Sequence, residues 1–415
     1  MTSTLNHRSE ERATARQRCL ADAAAVAAEV SAPRAATWDR DNAFPAELFA
    51  ALHEVGLDAM TVPYHLGGLG LGPDAPEPDP LTVWLVTRAL AGADSASSHA
   101  VQVHTNAVHC LAMLGTDEQQ ERYLRPVVEE GAVFGFWGSE QSGAPAGSGD
   151  GRPRFTVARR VEGGWLLSGR KFYSTNARGA RYGIVFAVPE GARNAMADLL
   201  LFVVDCRGEG VNVAREWWDR ATGMRATTSD EVVLDGVFVP DHGVIGEPGA
   251  YWSHNVQARY LPQFSANFQG VGRHFVDHAS RYVSDRGRSG EVEARRRIGE
   301  ANVQLASADA LLCKVAELYE ARDLPAAYHH SRMLRSFSQL AVERVIRLTL
   351  DACGASVHFD VHPFSRMLRD WESYSRHERL DLLLEALGGE DLSGTIAAGP
   401  AAFGFHERST FDTSG

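Results

Sequence analysis

The chain has 415 residues, of which 44% are hydrophobic and 23% charged, and its formal net charge is −12. This length gives ample core for one large unit or for two to three domains, and the composition is that of a soluble globular protein, not a disordered or fibrous one. The negative charge, with no Lys/Arg run interleaved with aromatic residues, argues against nucleic acid or an anionic membrane surface as a partner.

The cysteines and the N-terminus bear on compartment and metal binding. Five cysteines are scattered along the chain, and no two of them form a C-x-x-C pair. This predicts reduced core thiols and gives no sign of zinc or of a redox dithiol. The first residues lack an apolar export segment, and no stretch reaches the ~20 apolar residues of a membrane span. We therefore expect a cytoplasmic protein without a metal site.

Residues 1–130 predict a helical domain. An Ala-rich first helix is expected to end at Pro33, and a second opens at Phe44-Pro45 and stops at Gly56. Thr116 and Gln119 form a capping-box pattern for the last helix. The predicted elements, with the glycine-rich loop among them, are Glu10–Val30, Phe44–Gly56, the loop Val62–Gly70, Leu81–Ala93, Ser95–Leu114 and Gly115–Glu130.

Residues 131–248 predict a small antiparallel β-domain. The hydrophobic period changes from about 3.6 to about 2 near Val133, and Gly, Asp and Asn punctuate the segments. The predicted strands are Phe155–Arg160, Trp165–Leu167, Gly183–Val188, Leu199–Val204 and Glu231–Leu234.

Residues 249–392 predict a four-helix bundle, because three helical segments are twenty to thirty residues long and a shorter one lies near Leu380. The long segments are Gln257–Asp285, Ala294–Glu320 and Ala327–Cys353. The tail 393–415 carries no interpretable pattern.

Two motifs of the β-domain suggest flavin chemistry. They are the loop Gly138–Gly143 and the strand Ser168–Ala177. A flavin ring needs hydrogen-bond partners at its pyrimidine edge and a flat side chain against one face, which Ser139, Tyr173, Ser174 and Thr175 could supply. Taken alone, the same residues also fit an ordinary hairpin.

Agreement elsewhere along the chain decides between these alternatives. The matching segments are Phe44–Gly70, Gly115–Gln120, Gly138–Gly143, Ser168–Ala177, Gly223–Ser229, Val237–Pro240 and Ile245-Gly246. Together they resemble the acyl-CoA dehydrogenase superfamily over roughly residues 10 to 390. The resemblance implies an α+β fold with an N-terminal helical lobe, a central antiparallel β-domain and a C-terminal four-helix bundle, and it implies a bound flavin.

This fold hosts both α,β-dehydrogenation of acyl thioesters and oxygenation by reduced flavin and O₂, so the fold alone does not fix the chemistry. The dehydrogenases hold FAD with an Arg-x-x-x-Gln-Phe and a Gln-x-x-Gly-Gly motif. Arg286 and Gly354 match parts of these motifs, but no Gln-Phe follows Arg286, and Asp351 stands where Gln is expected. Because a carboxylate repels a pyrophosphate, we expect no tightly held FAD.

The segment after Arg369-Asp370 is ambiguous in the same way. The dehydrogenase base is often a Glu at the position of Glu378, whereas the monooxygenases resembling this chain carry a His followed by an acid, as in His377-Glu378. Arg379-Leu380 replaces the Gly-Thr that usually follows the dehydrogenase Glu, and the arginine would pair with the carboxylate.

The resemblance to the monooxygenase branch also implies an active-site histidine at His104. His104, Ser139 and His377 are then candidates to donate hydrogen bonds or a proton as oxygen reacts, with Glu378 beside them. Trp217, Trp218 and Phe264 are candidate pocket walls, although such aromatics more often belong to a core.

The sequence thus predicts a two-component monooxygenase that oxygenates N, S or C of a small organic molecule. Its partners would be reduced FMN or FAD, O₂ and a flavin reductase, and its assembly a homotetramer. The alternatives are an acyl-CoA or acyl-carrier-protein dehydrogenase with Glu378 as base, and a catalytically silent binding protein.

Overall fold

A computed structural model describes residues 2–140, 156–359, 361–377, 379–397, 399 and 402, with side chains from residue 10 onward. The N-terminal part is helical. Asp94 caps the fifth helix and the Thr116–Gln119 capping box is present. The helices are α1 (Thr2–Val26), α2 (Ala32–Asp41), α3 (Ala46–Glu54), α4 (Pro80–Ala91), α5 (Ser95–Leu114) and α6 (Asp117–Glu130).

The first helix does not end at Pro33, so that prediction was wrong. A π-helical turn, Ala27–Ser31, joins α1 to α2, and Pro33 lies in the first turn of α2. Proline has no N–H to donate back along the helix, and the π-helical turn just before it is a local change in the hydrogen-bonding pattern of the kind that accommodates such an interruption. Helical structure therefore continues to Asp41.

The middle of the chain forms one mixed eight-stranded sheet, not a purely antiparallel one. Both β1 and β2 pair with β4 in parallel, and the other pairs are antiparallel. Parallel pairing is possible because long connections separate these strands along the chain. The strands are β1 (Phe134–Trp137), β2 (Val157–Val161), β3 (Gly164–Ser174), β4 (Tyr182–Pro189), β5 (Leu200–Asp205), β6 (Val211–Ala214), β7 (Asp230–Pro240) and β8 (Val244–Ile245).

The C-terminal part contains the predicted long helices. Between β6 and β7 lies the short α7 (Arg215–Trp218), and α8 (Ala250–Ser253) precedes the long helices. These are α9 (Val256–Asp285), α10 (Val292–Glu320) and α11 (Leu324–Cys353), followed by the shorter α13 (Leu380–Ser393). The sequence interpretation missed α12 (Phe364–Tyr374), which contains Arg369-Asp370.

The main hydrophobic core lies where α4, α5 and α9 pack together and where α9 meets α10 and α11. Phe268 and Phe275 of α9 are fully buried there. Over the described part of the chain, every helix is too short or too polar to cross a bilayer. The interface of α5 and α9 with the sheet and with α12 encloses the candidate site.

Candidate functional site

The end of β3 leaves the regular pleat of the sheet. Its register with β7 shifts between Lys171 and Ser174, and Tyr173 has φ = 54°, in the left-handed region that bulky residues rarely adopt. The Tyr173 side chain is 61% exposed, and its ring lies edge-on to that of Trp217 at 4.9 Å between centroids. The distorted backbone therefore projects an aromatic face out of the sheet.

Hydroxyl groups surround this end of β3. Ser174 Oγ and Thr228 Oγ1 are buried, and neither has a hydrogen-bond partner among the described residues. By contrast, Thr175 Oγ1 lies 2.8 Å from Ser229 Oγ, and the Thr175 carbonyl accepts a hydrogen bond from Trp137 Nε1 at 3.0 Å. Because buried polar atoms nearly always find a partner, Ser174 and Thr228 mark a place where a ligand or water is expected.

Ser139 is joined to β3 through the backbone. Its carbonyl accepts a hydrogen bond from the Phe172 N–H at 3.1 Å. The next residue, Glu140, accepts one from Lys171 Nζ at 2.6 Å and one from the Thr156 N–H at 2.7 Å. Burial lowers the pKa of Lys171, and Glu140 opposes that effect. The remaining residues of the predicted loop, 141–143, lie outside the described residues.

Two histidines face each other on the helical side of the site. His99 of α5 lies 5.7 Å from His377, which follows α12, as measured between ring centroids. Phe264 of α9 lies 4.7 Å from His377 and 5.7 Å from His99, and Tyr374 of α12 lies 4.7 Å from His99. Four rings from three parts of the chain thus pack together in one cluster.

Both histidines are neutral at pH 7. Burial, with a smaller contribution from His377, lowers the pKa of His99 to about 3. The surrounding protein, with help from Arg335, lowers the pKa of His377 to about 4, although the His377 side chain is accessible to solvent. Each ring therefore offers one N–H donor and one acceptor nitrogen.

His104 lies elsewhere. Its Nδ1 accepts a hydrogen bond from the Phe134 N–H at 3.0 Å, so Nε2 carries the proton, which it donates to the Asp58 carbonyl at 3.0 Å. The ring is buried, which lowers its pKa. Since both nitrogens are engaged by backbone groups, the geometry gives His104 a structural role. The proposed part of His104 in oxygen chemistry finds no support here, and His99 stands beside His377 instead.

An asparagine joins the β side of the site to the helical side. Asn176, just after β3, donates from Nδ2 to the Ala100 carbonyl at 2.8 Å and to the Phe134 carbonyl at 3.0 Å. Ala100 directly follows His99 on α5. The end of β3 is therefore held next to the turn of α5 that carries His99.

A buried cluster of charges anchors α12 beneath the site. Arg366 forms salt bridges with Asp94 and Asp370, and Asp370 also accepts a hydrogen bond from the Met224 N–H at 2.6 Å. Burial and the neighbouring Asp94 raise the pKa of Asp370. Because Asp94 also caps α5, this cluster joins the start of α5 to α12 and so fixes the segment that ends at His377.

The aromatic residues predicted to line a pocket lie in two different parts of the structure. Trp217 contacts Phe172 at 5.4 Å between ring centroids as well as Tyr173, whereas Phe264 contacts the histidines. Trp218 is buried and packs against Trp217 at 5.6 Å. The structure thus assigns Trp217 to the β side and Phe264 to the helical side.

The residues predicted to hold the rest of a dinucleotide lie at the far end of α9. The Arg286 guanidinium stacks on Tyr282 at 3.6 Å, and Gly354 ends α11 with φ = 84°. Asp351 pairs with Arg347 at 3.2 Å. At 1.5 Å per residue, Arg286 is roughly 33 Å along α9 from Phe264. These residues and the end of β3 therefore belong to two separate places on one chain.

Some site residues were missed or cannot be placed. Glu378 lies outside the described residues. The sequence interpretation overlooked His99, Gln102 and Tyr374. The Tyr374 hydroxyl donates to Gln102 Oε1 at 2.8 Å. The sequence did carry a signal for them. Three polar side chains occupy buried positions of one predicted helix, namely Ser98, His99 and Gln102.

Comparison with known proteins identifies the family. Residues 14–131 match the N-terminal domain of acyl-CoA dehydrogenases, and residues 135–237 match their middle domain. The benzylmalonyl-CoA dehydrogenase of Aromatoleum aromaticum is 32% identical over 285 residues, covering 67% of this chain and 71% of that protein. The chain belongs to the acyl-CoA dehydrogenase superfamily and has its fold.

Relatives of both chemical types are found. A probable acyl-CoA dehydrogenase, FadE25 of Mycobacterium tuberculosis, is 28% identical over 269 residues, which span 64% of this chain and 66% of that protein. The dibenzothiophene monooxygenase of Mycolicibacterium goodii is 26% identical over 366 residues, covering 81% and 85%. Among solved structures, TdsC of Paenibacillus sp. A11-2 with FMN and indole has a TM-score of 0.80 at 19% identity, covering 93% of this chain and 99% of that one.

Proposed function

We propose that this protein is a flavin-dependent monooxygenase, which takes reduced FMN or FAD from a separate reductase and uses O₂ to oxygenate a small organic molecule. One observation carries the proposal: two neutral histidines, His99 and His377, pack against each other within a cluster of aromatic rings. The similarity to the dibenzothiophene monooxygenase, and the fold shared with a TdsC structure containing FMN, support it.

The residues at the end of β3 fit a flavin. The exposed face of Tyr173 is available to one side of the ring, and Trp217 holds that tyrosine from behind. The unsatisfied hydroxyls of Ser174 and Thr228 suit the carbonyl and N–H groups at the polar edge of the ring, and Ser139 is tied beside them. When bound in its reduced form, the flavin supplies the electrons that activate O₂.

The side chains of this chain would control water and protons. The rings of Phe264 and Tyr374 pack against the histidines and shield one side of them from water, and excluding water suppresses unproductive side reactions. His377, with its accessible ring, is the group that donates an N–H hydrogen bond to an oxygen atom at the reacting centre. His99 lies behind it as a second donor, and Ser139 is a third candidate on the β side.

The far end of α9 bears on how tightly flavin is held. Arg286 and Gly354 lie at the end of α9 that is roughly 33 Å along the helix from Phe264 of the same chain. In the homotetramer that we propose, a neighbouring subunit would bring them to the site. Asp351 places a carboxylate near that position and disfavours a pyrophosphate. A weakly held flavin that is exchanged with a reductase is consistent with this arrangement.

The second candidate is an FAD-dependent acyl-thioester dehydrogenase with Glu378 as base. The 32% identity to benzylmalonyl-CoA dehydrogenase favours it. The two functions require opposite cofactor behaviour, because a dehydrogenase keeps oxidised FAD between turnovers, whereas a two-component oxygenase receives its flavin reduced.

An anaerobic flavin titration separates the two. The purified and dialysed protein should be colourless, should bind oxidised FMN or FAD only at micromolar or weaker affinity, and should bind the reduced form at least tenfold more tightly, a difference of ~1.4 kcal/mol or more. One FAD per chain retained through dialysis, and bleached by an acyl-CoA without O₂, would establish the dehydrogenase instead.

A further inference from the structure

A second layer of polar side chains supports His99. The Tyr374 hydroxyl donates to Gln102 Oε1 at 2.8 Å, and both side chains are buried. Gln102 follows His99 by three residues on α5, so the two side chains share a helix face. The Gln102 side chain is also close enough to influence the pKa of His99.

Two buried atoms in this layer are unsatisfied and chemically complementary. Nδ1 of His99 and Nε2 of Gln102 both lack a hydrogen-bond partner among the described residues. Gln102 Nε2 can only donate, whereas one nitrogen of a neutral histidine accepts. A buried group left without a hydrogen bond costs about 1–3 kcal/mol, more than a typical bond gains, so a small rotation that pairs these atoms is favoured.

We infer that Tyr374 and Gln102 are positioning residues that fix the tautomer of His99: Tyr374 donates to Gln102 Oε1, Gln102 Nε2–H donates to His99 Nδ1, and the remaining proton of His99 is therefore on Nε2. The hydrogen bond to one ring nitrogen determines what the other presents. His99 would then present an N–H on the side of the ring that faces His377. This inference rests on the proposed function for its purpose, because the N–H would donate to oxygen at the reacting centre.

The groups that could compete for this role are few in the described part of the chain. Tyr374 and His377 from the α12 side face the His99 ring, and Arg335 of α11 lies behind them, where it affects the pKa of both. Phe264 closes the side toward α9. None of these four side chains can both accept a hydrogen bond from the Tyr374 hydroxyl and donate one to His99, whereas the amide of Gln102 can do both.

The tautomer can be read directly by magic-angle-spinning ¹⁵N NMR on the full-length protein labelled at its histidine nitrogens, with His99→Gln to assign the signal. We expect a protonated Nε2 and an unprotonated Nδ1 at pH 7. Gln102→Glu should move the proton to Nδ1, because a carboxylate can only accept. Gln102→Met and Tyr374→Phe should each give a mixture, and the control Gln269→Met, a buried glutamine of α9 that bonds toward α10 and α11, should change nothing.

A wild-type His99 protonated on Nδ1, or a signal unmoved in both Gln102→Glu and Tyr374→Phe, would overturn the inference. A functional measurement adds a second criterion. Gln102→Glu should shift the acid limb of the pH profile of flavin reoxidation to higher pH by raising the pKa of His99, whereas an unshifted profile would count against the positioning role. The NMR result needs no flavin, so the tautomer can be confirmed even if the oxygenase proposal fails, and it can be refuted even if that proposal holds.

Discussion

The imidazole rings of His99 and His377 lie 5.7 Å apart, one on α5 and the other just beyond α12. Their helices are anchored to each other by Arg366, which bridges Asp94 at the start of α5 and Asp370 within α12. The salt-bridge cluster thus holds together the two segments that carry the histidines.

The Arg366 cluster should be essential for stability. Arg366→Met would leave two buried carboxylates without their cation, and breaking a buried ion pair in this way typically costs about 3–5 kcal/mol. Urea unfolding monitored by circular dichroism should show that loss. The exposed pair Arg376–Glu372 offers a control, because Arg376→Met should change the free energy of unfolding by well under 1 kcal/mol. Similar small effects of both substitutions would refute the anchoring role.

His104 should matter for folding rather than for chemistry. His104→Ala removes the partners of two buried backbone groups, the Phe134 N–H and the Asp58 carbonyl, at a cost of about 1–3 kcal/mol for each group left unsatisfied. We expect a lower urea midpoint, with reduced-flavin affinity per folded molecule unchanged. A stable His104→Ala protein that has lost control of flavin oxidation would restore a catalytic role for this residue.

Acid should destabilise the fold partly through His99. The folded-state pKa of about 3 lies below the ordinary value of 6.5, so as the pH falls from 6.5 toward 3 the unfolded chain takes up a proton that the folded chain resists. Stability from this group is intact above pH 6.5 and falls across that window. Asp370 acts in the opposite direction because its folded pKa is raised.

The contribution of His99 is therefore measured as a difference between proteins. The gap in unfolding free energy between His99→Gln and the parent should move in favour of the variant as the pH is lowered from 7 to 4.5. A gap that stays constant over that range would show that His99 is not held neutral.

Tyr173 should contribute to flavin binding. Tyr173→Ala removes the exposed ring at the end of β3. Losing an aromatic stacking partner costs about 0.5–1.5 kcal/mol of binding free energy, so the dissociation constant for reduced FMN should rise roughly twofold to tenfold. The matched control is Tyr64→Ala, because Tyr64 is similarly exposed, at 66%, in the loop after α3. Equal flavin affinities for Tyr173→Ala and the parent protein would remove Tyr173 from the site.

The sequence predicted most elements and the family, because capping patterns, periodicity and motifs are local signals. Its errors have local physical causes. Pro33 was interpreted as a stop although the π-helical turn before it accommodates the proline, and α12 was overlooked. On α5, the side chains of His99 and His104 point about 140° away from each other because they are five residues apart, so the sequence shows that they face different surroundings. Which of the two lies at the site depends on contacts with Phe134 and His377, which are distant in sequence.

The central claim is that His377 controls oxygen chemistry, and it can be tested without knowing the substrate. Anaerobic protein loaded with reduced FMN is mixed with O₂ in a stopped-flow instrument, and flavin reoxidation and hydrogen peroxide release are followed for the parent, His377→Ala, Glu378→Gln and the exposed-histidine control His65→Ala. We expect the parent, Glu378→Gln and His65→Ala to delay peroxide release relative to free reduced FMN, and His377→Ala to release it about 10²–10³-fold faster than the parent, the range for a lost hydrogen-bond donor at a reacting oxygen. Prompt release by the parent itself, or an equal change in His377→Ala and Glu378→Gln, would contradict the claim.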